Sequence, residues 1–416
     1  MVVVDAGSPD ARLPDIAVAR RLALAEGQAL PPALLGAQRG WIERSWRRCL
    51  QRGLQPQQRV AFDCVSRAAL RASDERHHAL LRAAAPLLDA LARAVARAGY
   101  FAILTDAHGV VIDARGAIDH GDPRALAIAR VGVDLSEARV GTSAVGVALH
   151  ELHPVWLHRG EHFFGDTQAY SCARAPLIGP DGDCIGMIDL TGIDAAERCE
   201  LVHLAAHTAQ RIGNALVLER PHALLLRLNW PGDARGGDDD ALLGIDADGC
   251  VCAANQAARA LLPRLAAGPR PVHAGELFAL APQRLFEHAR ASELLDTGPM
   301  EVALWSGLVV QLRARRAGSD ALAAPQASAR NRMSLQQLEH ALVLQSVDTA
   351  RGNVAQAARA LGVSRATVYR KLGARRARAA GAEAGDCAPR GGSSAASGTW
   401  HQQGRGGGGN LPDAVD

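Results

Sequence analysis

The stretch GNVAQAARALGVSRATVYRKL, residues 352–372, admits very few folds. Gly362 follows Ala358 by four positions and precedes Ser364 by two. A left-handed backbone is cheap there only for glycine, so the chain can turn a sharp corner. Asn353 can cap a helix VAQAARAL with Val354, Ala357, Ala358 and Leu361 inward. Ser364 can cap a second helix, RATVYRKLGA, with Val368 and Leu372 inward. The small Ala358 lets two helices approach closely. Upstream, Ser334 and Gln337 form a capping box for a helix that carries Leu335, Leu338 and Leu342 on one stripe and ends at Gly352. About ten residues at ~1.5 Å rise give the last helix ~15 Å, enough to lie in a major groove. This is helix-turn-helix spacing.

Charge points the same way. Net charge is +3 over 416 residues, too little to argue for nucleic acid by itself. Locally the balance is steep: eight basic and no acidic residues lie between Thr349 and Ala382. The chain has one lysine, Lys371, and it lies on this last helix. Arginines can grip guanine edges, and hydroxyls can reach phosphates. The candidate DNA-binding residues are therefore Asn353, Ser364, Arg365, Thr367, Tyr369, Arg370, Lys371 and Arg375. The competing reading is a basic surface helix in an ordinary bundle. The segment resembles the Fis-type helix-turn-helix at the C-terminus of many bacterial enhancer-binding activators, over about residues 333–375. The resemblance implies a dimeric module whose preceding helices pair. A unit of ~45 residues is also too small to be secure alone.

Length suggests two to four domains at ~100–200 residues each. Residues 1–75 read as a helical lead in which Trp41, Ser45, Trp46 and Cys49 follow helical spacing. A strong helix follows over 78–98, with Leu80, Leu81, Ala84, Leu87, Leu88, Leu91 and Val95 at three-and-four spacing. Then come three apolar–turn–apolar patterns: FAILTDAHGVVIDARG (101–116), PLIGPDGDCIGMIDLTG (176–192) and LLGIDADGCVCAANQ (242–256). Each is a hairpin signal, with Asp106, Asp181 and Asp246 as turn formers. The expected fold class is multidomain α+β: two antiparallel sheets with helices, and a C-terminal all-α helix-turn-helix.

The pieces GTSAVG (141–146), EHF (161–163), SCARAP (171–176) and GMIDLTG (186–192) resemble the GAF-type sensor domain of activators of acetoin and glycerol metabolism. The lead segment SWRRCLQRGL is similar to that family's as well. Residues 242–310 resemble a PAS fold. The expected organisation is a lead (1–75), a GAF-like sensor (76–220), a linker (221–240), a PAS-like domain (241–316), a linker (317–332), the Fis-type module (333–378) and a disordered tail (379–416). That family usually carries an ATPase domain before its DNA-binding module. A G-x-x-x-x-G-K-[ST] phosphate loop needs a lysine, and the single lysine here lies in the helix-turn-helix. No ~240-residue stretch is left to hold such a domain. The chain is thus expected to act without ATP hydrolysis.

Four aromatic residues, Trp156, Phe163, Phe164 and Tyr170, cluster in a chain with only 4% aromatics. They could line an apolar cavity or simply form core. Trp156, His162, Phe163, Tyr170 and Cys172 are the candidate effector-binding residues. H-R-G-E-H (158–162) matches an inverted zinc-protease pattern, but Gly160 and the β-type surroundings argue against the helix that pattern needs. Cys250 and Cys252 have no second pair nearby. No catalytic residue, metal site or cofactor is assigned, and the chain is not expected to be an enzyme. Eight scattered cysteines suit reduced thiols in a cytoplasm. No window approaches ~18 apolar residues, and residues 1–15 do not have the layout of a secretory leader. The expected partners are double-stranded DNA, an unknown small-molecule effector and a second copy of the chain, with RNA polymerase a further candidate and no membrane. The alternative is a redox or metal sensor, or an enzyme, with a secondary DNA-binding module, for which a reactive thiol at Cys172 or Cys184 would speak.

Overall fold

The computed structural model describes residues 11–35, 39–143, 152–232, 237–266, 271–295, 297–317, 353–360, 364, 365 and 368. The chain divides into two units, Met1–Ala327 and Ser328–Asp416.

The first unit opens with α1 (Leu13–Arg20), which runs into a wider turn over Arg21–Ala25, then α2 (Pro32–Leu35) and α3 (Gly40–Gln51). The Trp41, Ser45, Trp46 and Cys49 stripe of α3 is buried. Helix α4 (Arg67–Val95) begins where the Ser66 hydroxyl accepts the Ala69 N–H at 3.2 Å. The helix expected from residue 78 therefore starts eleven residues earlier, and the expected 75/76 boundary falls inside it. Its first turns are mostly exposed and carry little apolar periodicity, which is why spacing alone places the start too late.

Strands β1 (Tyr100–Asp106) and β2 (Val111–Arg115) form the first hairpin, followed by α5 (Pro123–Ala129) and α6 (Glu137–Val140). Strands β3 (Val155–His158), β4 (Tyr170–Ile178) and β5 (Cys184–Ile193) complete an antiparallel sheet of order β2-β1-β5-β4-β3. Side chains alternate across it. Ala102, Leu104, Ala173, Ala175, Ile188 and Leu190 pack under α4 and α7 (Leu201–Glu219). Phe101, Ile103, Tyr170, Cys172 and Met187 face the other way, into a core shared with α1, α3, α5 and the following loops. The lead is thus one wall of the first sheet's core.

A second antiparallel sheet follows: β6 (Leu224–Asn229), β7 (Ala241–Ile245) and β8 (Val251–Ala254), then α8 (Gln256–Leu261), α9 (Pro282–Leu295), β9 (Met300–Ala303) and β10 (Val309–Arg316). Its order is β8-β7-β6-β10-β9. The segment 221–240, expected as a linker, contains the central strand β6. Leu224, Leu226 and Leu228 alternate into this sheet's core, a period-2 signal that the neighbouring glycines and aspartates masked. Asp106 and Asp246 each accept two turn N–H groups, whereas Asp181 instead takes Arg220 Nη2 at 3.1 Å.

The two sheets are fastened by polar contacts. Asn255 caps α8 by accepting from Ala258 N at 2.8 Å and also accepts from Leu242 N at 3.0 Å. Its amide donates to Asn214 on α7 and to the Asp240 carbonyl, both at 2.8 Å. Arg259 donates to the Pro180 carbonyl, in the β4–β5 turn, at 2.7 Å.

In the second unit, α10 (Val354–Ala360) and residues 364, 365 and 368 are described. The expected helix over 335–351, most of the 317–332 linker, and the 379–416 tail lie outside the described residues. Among the described residues no helix is long and apolar enough to cross a membrane.

Candidate functional site

The segment 155–167 carries most of the histidines and aromatics of interest. Strand β3 ends at His158, Arg159–Glu161 forms one tight 3-10 turn, and Arg159 takes a left-handed φ of 49°. H-R-G-E-H therefore does not sit on an α-helix. Both histidine Nδ1 atoms and the glutamate have partners of their own. His158 Nδ1 is 2.8 Å from Ser171 Oγ, and His162 Nδ1 is 3.1 Å from the Arg159 carbonyl. The buried Glu161 carboxylate pairs with Arg12, and both its oxygens lie 2.8 Å from Arg39. Arg39 stacks over the Trp156 ring, 4.2 Å from its centroid. Burial lowers the Arg39 pKa, and Glu161 partly offsets that. Trp46 Nε1 donates to the Glu161 carbonyl, and Arg20 donates to three carbonyls of residues 160–163. Sequence reasoning missed this clasp. Its signal was the arginines interleaved with tryptophans in the lead.

A second arrangement lies along β4 and β5. Tyr170, Cys172 and Arg174 alternate along β4, and Asp189 and Thr191 stand opposite on β5, paired as Arg174↔Asp189 and Cys172↔Thr191. Arg174 Nη2 donates to Asp189 Oδ2 at 2.6 Å, and the Thr191 hydroxyl donates to the same oxygen at 2.6 Å. Arg174 is only 1% exposed and Asp189 0%. A small cavity of about 20 Å³ adjoins Arg174, Cys172, Tyr170 and His162, with Ile128, Leu135 and Val140 among its apolar walls. Burial holds His162 near pKa 3, so it is neutral at pH 7.

The five sequence candidates do not all meet. His162, Tyr170 and Cys172 line the cavity. Trp156 does not: it points to the opposite sheet face, where its indole donates to Glu197 at 3.1 Å. Phe163 does not either, because it packs edge-on against Phe164 at 5.1 Å inside the core. Arg174 lines the cavity as well, and Asp189 holds it through the 2.6 Å hydrogen bond. Burial pushes the Cys172 thiol up to about 12 and the Cys49 thiol up to about 11. It raises Cys184 as well. A redox sensor needs a depressed thiol pKa, so this observation counts against the alternative reading.

In the second unit, the Asn353 side chain accepts from Ala355 N at 3.1 Å and Gln356 N at 3.2 Å, the N-cap geometry of α10. Ala358 and Val368 are buried, while Asn353, Ser364 and Arg365 are exposed. Thr367, Tyr369, Arg370, Lys371 and Arg375 lie outside the described residues.

Comparison with known proteins adds the remaining observation. Residues 14–214 match the family described as MimR, N-terminal domain, and residues 334–374 match the bacterial regulatory protein, Fis family. The chain joins a MimR-type sensor domain to a Fis-family helix-turn-helix. The MimR-type match takes in the lead helices, in keeping with their place in the sensor core. The acetoin catabolism regulatory protein of Cupriavidus necator is 31% identical over 242 residues, covering 56% of this chain and 36% of that protein. The acetoin dehydrogenase operon transcriptional activator AcoR of Bacillus subtilis is 31% identical over 178 residues, covering 41% and 29%. The propane 2-monooxygenase operon transcriptional activator MimR of Mycolicibacterium smegmatis is 34% identical over 115 residues, covering 27% and 20%. The matches thus span about a third or less of these relatives' own length. A crystal structure of the Escherichia coli DhaR(N)–DhaL complex superposes with a TM-score of 0.39 at 16% identity, covering 66% of this chain and 99% of that one.

Proposed function

We propose that this chain is a DNA-binding transcriptional regulator whose first unit senses a small-molecule effector and which acts without ATP hydrolysis. The carrying observation is the Fis-family match over 334–374, within which Asn353 caps a helix and Arg365 stands exposed. Two supports accompany it. The named relatives are transcriptional activators or regulators. The span between the two family matches holds a five-stranded antiparallel sheet and no lysine for a phosphate loop. Regulation then works by occupancy of a site: blocking it, recruiting polymerase to it, or competing for it.

The module is read as a homodimer on a two-fold related site with half-sites about one helical turn apart. Arg365, Arg370 and Lys371 supply the charge, so affinity falls steeply with salt. A protein that reads the chromosome works in the cytoplasm. The test is genome-wide capture of DNA bound to the full chain, followed by fluorescence anisotropy on recovered fragments from 50 to 300 mM salt, with and without ATP. The expected result is one recurring two-fold motif with ATP-independent affinity. Fragments without a shared motif, bound equally well, would overturn the reading.

A further inference from the structure

The outer face of the second sheet gathers positive charge. Strands β6 and β10 pair with Arg227 opposite Arg313 and Asn229 opposite Gln311. Their even-numbered neighbours, Leu226, Leu228, Leu312 and Ala314, fill the core with Phe278, so these four residues face the other way. Helix α7 covers one edge of that outer face, where Val217 packs with Leu242 of β7 and Ala253 of β8. Over β6 and β10 lies a pocket of about 260 Å³, walled by Arg227, Asn229, Asp240, Gln311, Arg313 and Arg315.

Among these walls three arginines meet one carboxylate. Asp240 is buried; its Oδ1 accepts from the Asn229 amide at 3.0 Å and its Oδ2 lies 3.5 Å from Arg227 Nη1. Arg315 and Gln311 have partners of their own. Arg313 has neither hydrogen bond nor ion pair among the described residues, and its Nε is buried. The nearby titratable groups do not answer it. Glu301 stands opposite Gln311 on β9, but it is exposed and makes no ion pair with the described arginines of the pocket. Burial, and then the Arg313 charge itself, lower the His288 pKa below 6.5, so this α9 residue is neutral at pH 7. Asp238 and Asp239 turn instead to α7, where they take Arg211 and Gln210. Like charges directly opposite on paired strands repel, and of the Arg227–Arg313 pair only Arg227 reaches a described carboxylate.

Chemistry selects the ligand. A carboxylate has two oxygens, and the fork of one guanidinium satisfies both. A phosphate monoester offers three terminal oxygens and about −1.5 to −2 of charge at pH 7, so it can bridge two guanidiniums. Directly opposed residues have Cβ atoms ~4.5–5.5 Å apart, which lets both forks converge on one phosphoryl group. The pocket also exceeds what a bare ion needs, and its 260 Å³ approaches the ~300 Å³ at which small-molecule sites begin. A recess of this size suits a small phosphorylated molecule better than a duplex, whose phosphates stand on a convex surface.

We propose that Arg227 and Arg313 form a binding site for a small phosphate monoester on the outer face of the second sheet. The site stands apart from the core of that sheet and from the first sheet, and it does not depend on reading the chain as a regulator. The test is isothermal titration calorimetry of the full chain with propyl phosphate, inorganic phosphate and butanoate, at constant ionic strength in chloride. Propyl phosphate should bind at least tenfold more tightly than butanoate, and more tightly than inorganic phosphate. Arg313→Gln should weaken it at least tenfold, and Arg313→Lys several-fold, because a point charge replaces the fork. Arg316→Gln, at an exposed neighbour that does not line the pocket, should leave it unchanged. Arg313 has no described partner to lose, so without ligand both of its variants should unfold at the wild-type temperature. Propyl phosphate should raise that temperature in wild type and not in Arg313→Gln.

Equal affinity for butanoate or for inorganic phosphate would overturn the monoester. No binding of propyl phosphate, unchanged affinity in Arg313→Gln, or an equal loss in Arg316→Gln would overturn the site. A lower unfolding temperature in both Arg313 variants without ligand would do the same, since the guanidinium would then serve the fold. Weaker DNA binding in Arg313→Gln, with propyl phosphate affinity unmoved, would assign the arginines to a DNA-facing surface instead.

Discussion

Replacing Glu161 with glutamine should loosen the lead helices from the sensor core. The carboxylate is fully buried and serves Arg12, Arg39 and the His158 N–H, the last at 2.7 Å. Glutamine keeps the shape and one acceptor oxygen but cancels the charge. Arg12 retains Glu197 and its side chain is 31% exposed, so its share of the loss is ~0–1 kcal/mol. Arg39 is more dependent on it: its side chain is 7% exposed and, among the described residues, keeps the Trp156 carbonyl and the indole faces. Removing one partner of a buried pair costs about 3–5 kcal/mol, and cation–π contacts return about 1–2 of that. The expected net loss is roughly 3 kcal/mol. The readout is native-state hydrogen exchange of the α3 amides, which reports local detachment without assuming that the whole chain unfolds in one step. The double variant Arg39→Met/Glu161→Gln should recover about 2 kcal/mol, since it removes the uncompensated charge as well. Protection in Glu161→Gln within about 0.5 kcal/mol of wild type, or a double variant weaker than the single, would refute the reasoning.

Asn353→Ala should cost ~0.5–2 kcal/mol of α10 stability, and Asn353→Gly only a few tenths, read by exchange of the Ala355 and Gln356 amides. Gly141 has φ 65° and ψ −155°, and a Cβ there would lie 2.9 Å from Phe163 Cβ and from the Phe164 ring, so Gly141→Ala should lose more than about 2 kcal/mol in urea unfolding of the first unit. His162 gives a pH signature. Its folded pKa of about 3 lies below the ordinary 6.5, so the unfolded chain binds the extra proton first, and stability is lost as pH falls from 6.5 toward 3. The slope is at most about 1.4 kcal/mol per pH unit. Between pH 7 and pH 5 wild type should lose about 2 kcal/mol more than His162→Gln in urea unfolding; equal losses would count against a neutral buried imidazole.

What the sequence could show here was local. The Asn353 cap is a relation within one turn of chain, and the capped helix at 354 is where periodicity puts it. The hairpin aspartates at 106 and 246 are likewise self-contained: each bonds its own turn. Asp181 sits in the same sequence pattern, but a residue 39 positions away takes its carboxylate, and nothing in PDGD announces Arg220. The same limit hid the cavity. Trp156 and Tyr170 are both aromatic and close in sequence, yet they point to opposite faces because β3 and β4 pair in one particular register, with Trp156 across from Ala173. One residue of slip would exchange the faces. Arg174 and Asp189 each read in isolation as a charge misplaced in an apolar strand. Only the register that sets them opposite turns two apparent mistakes into a buried pair.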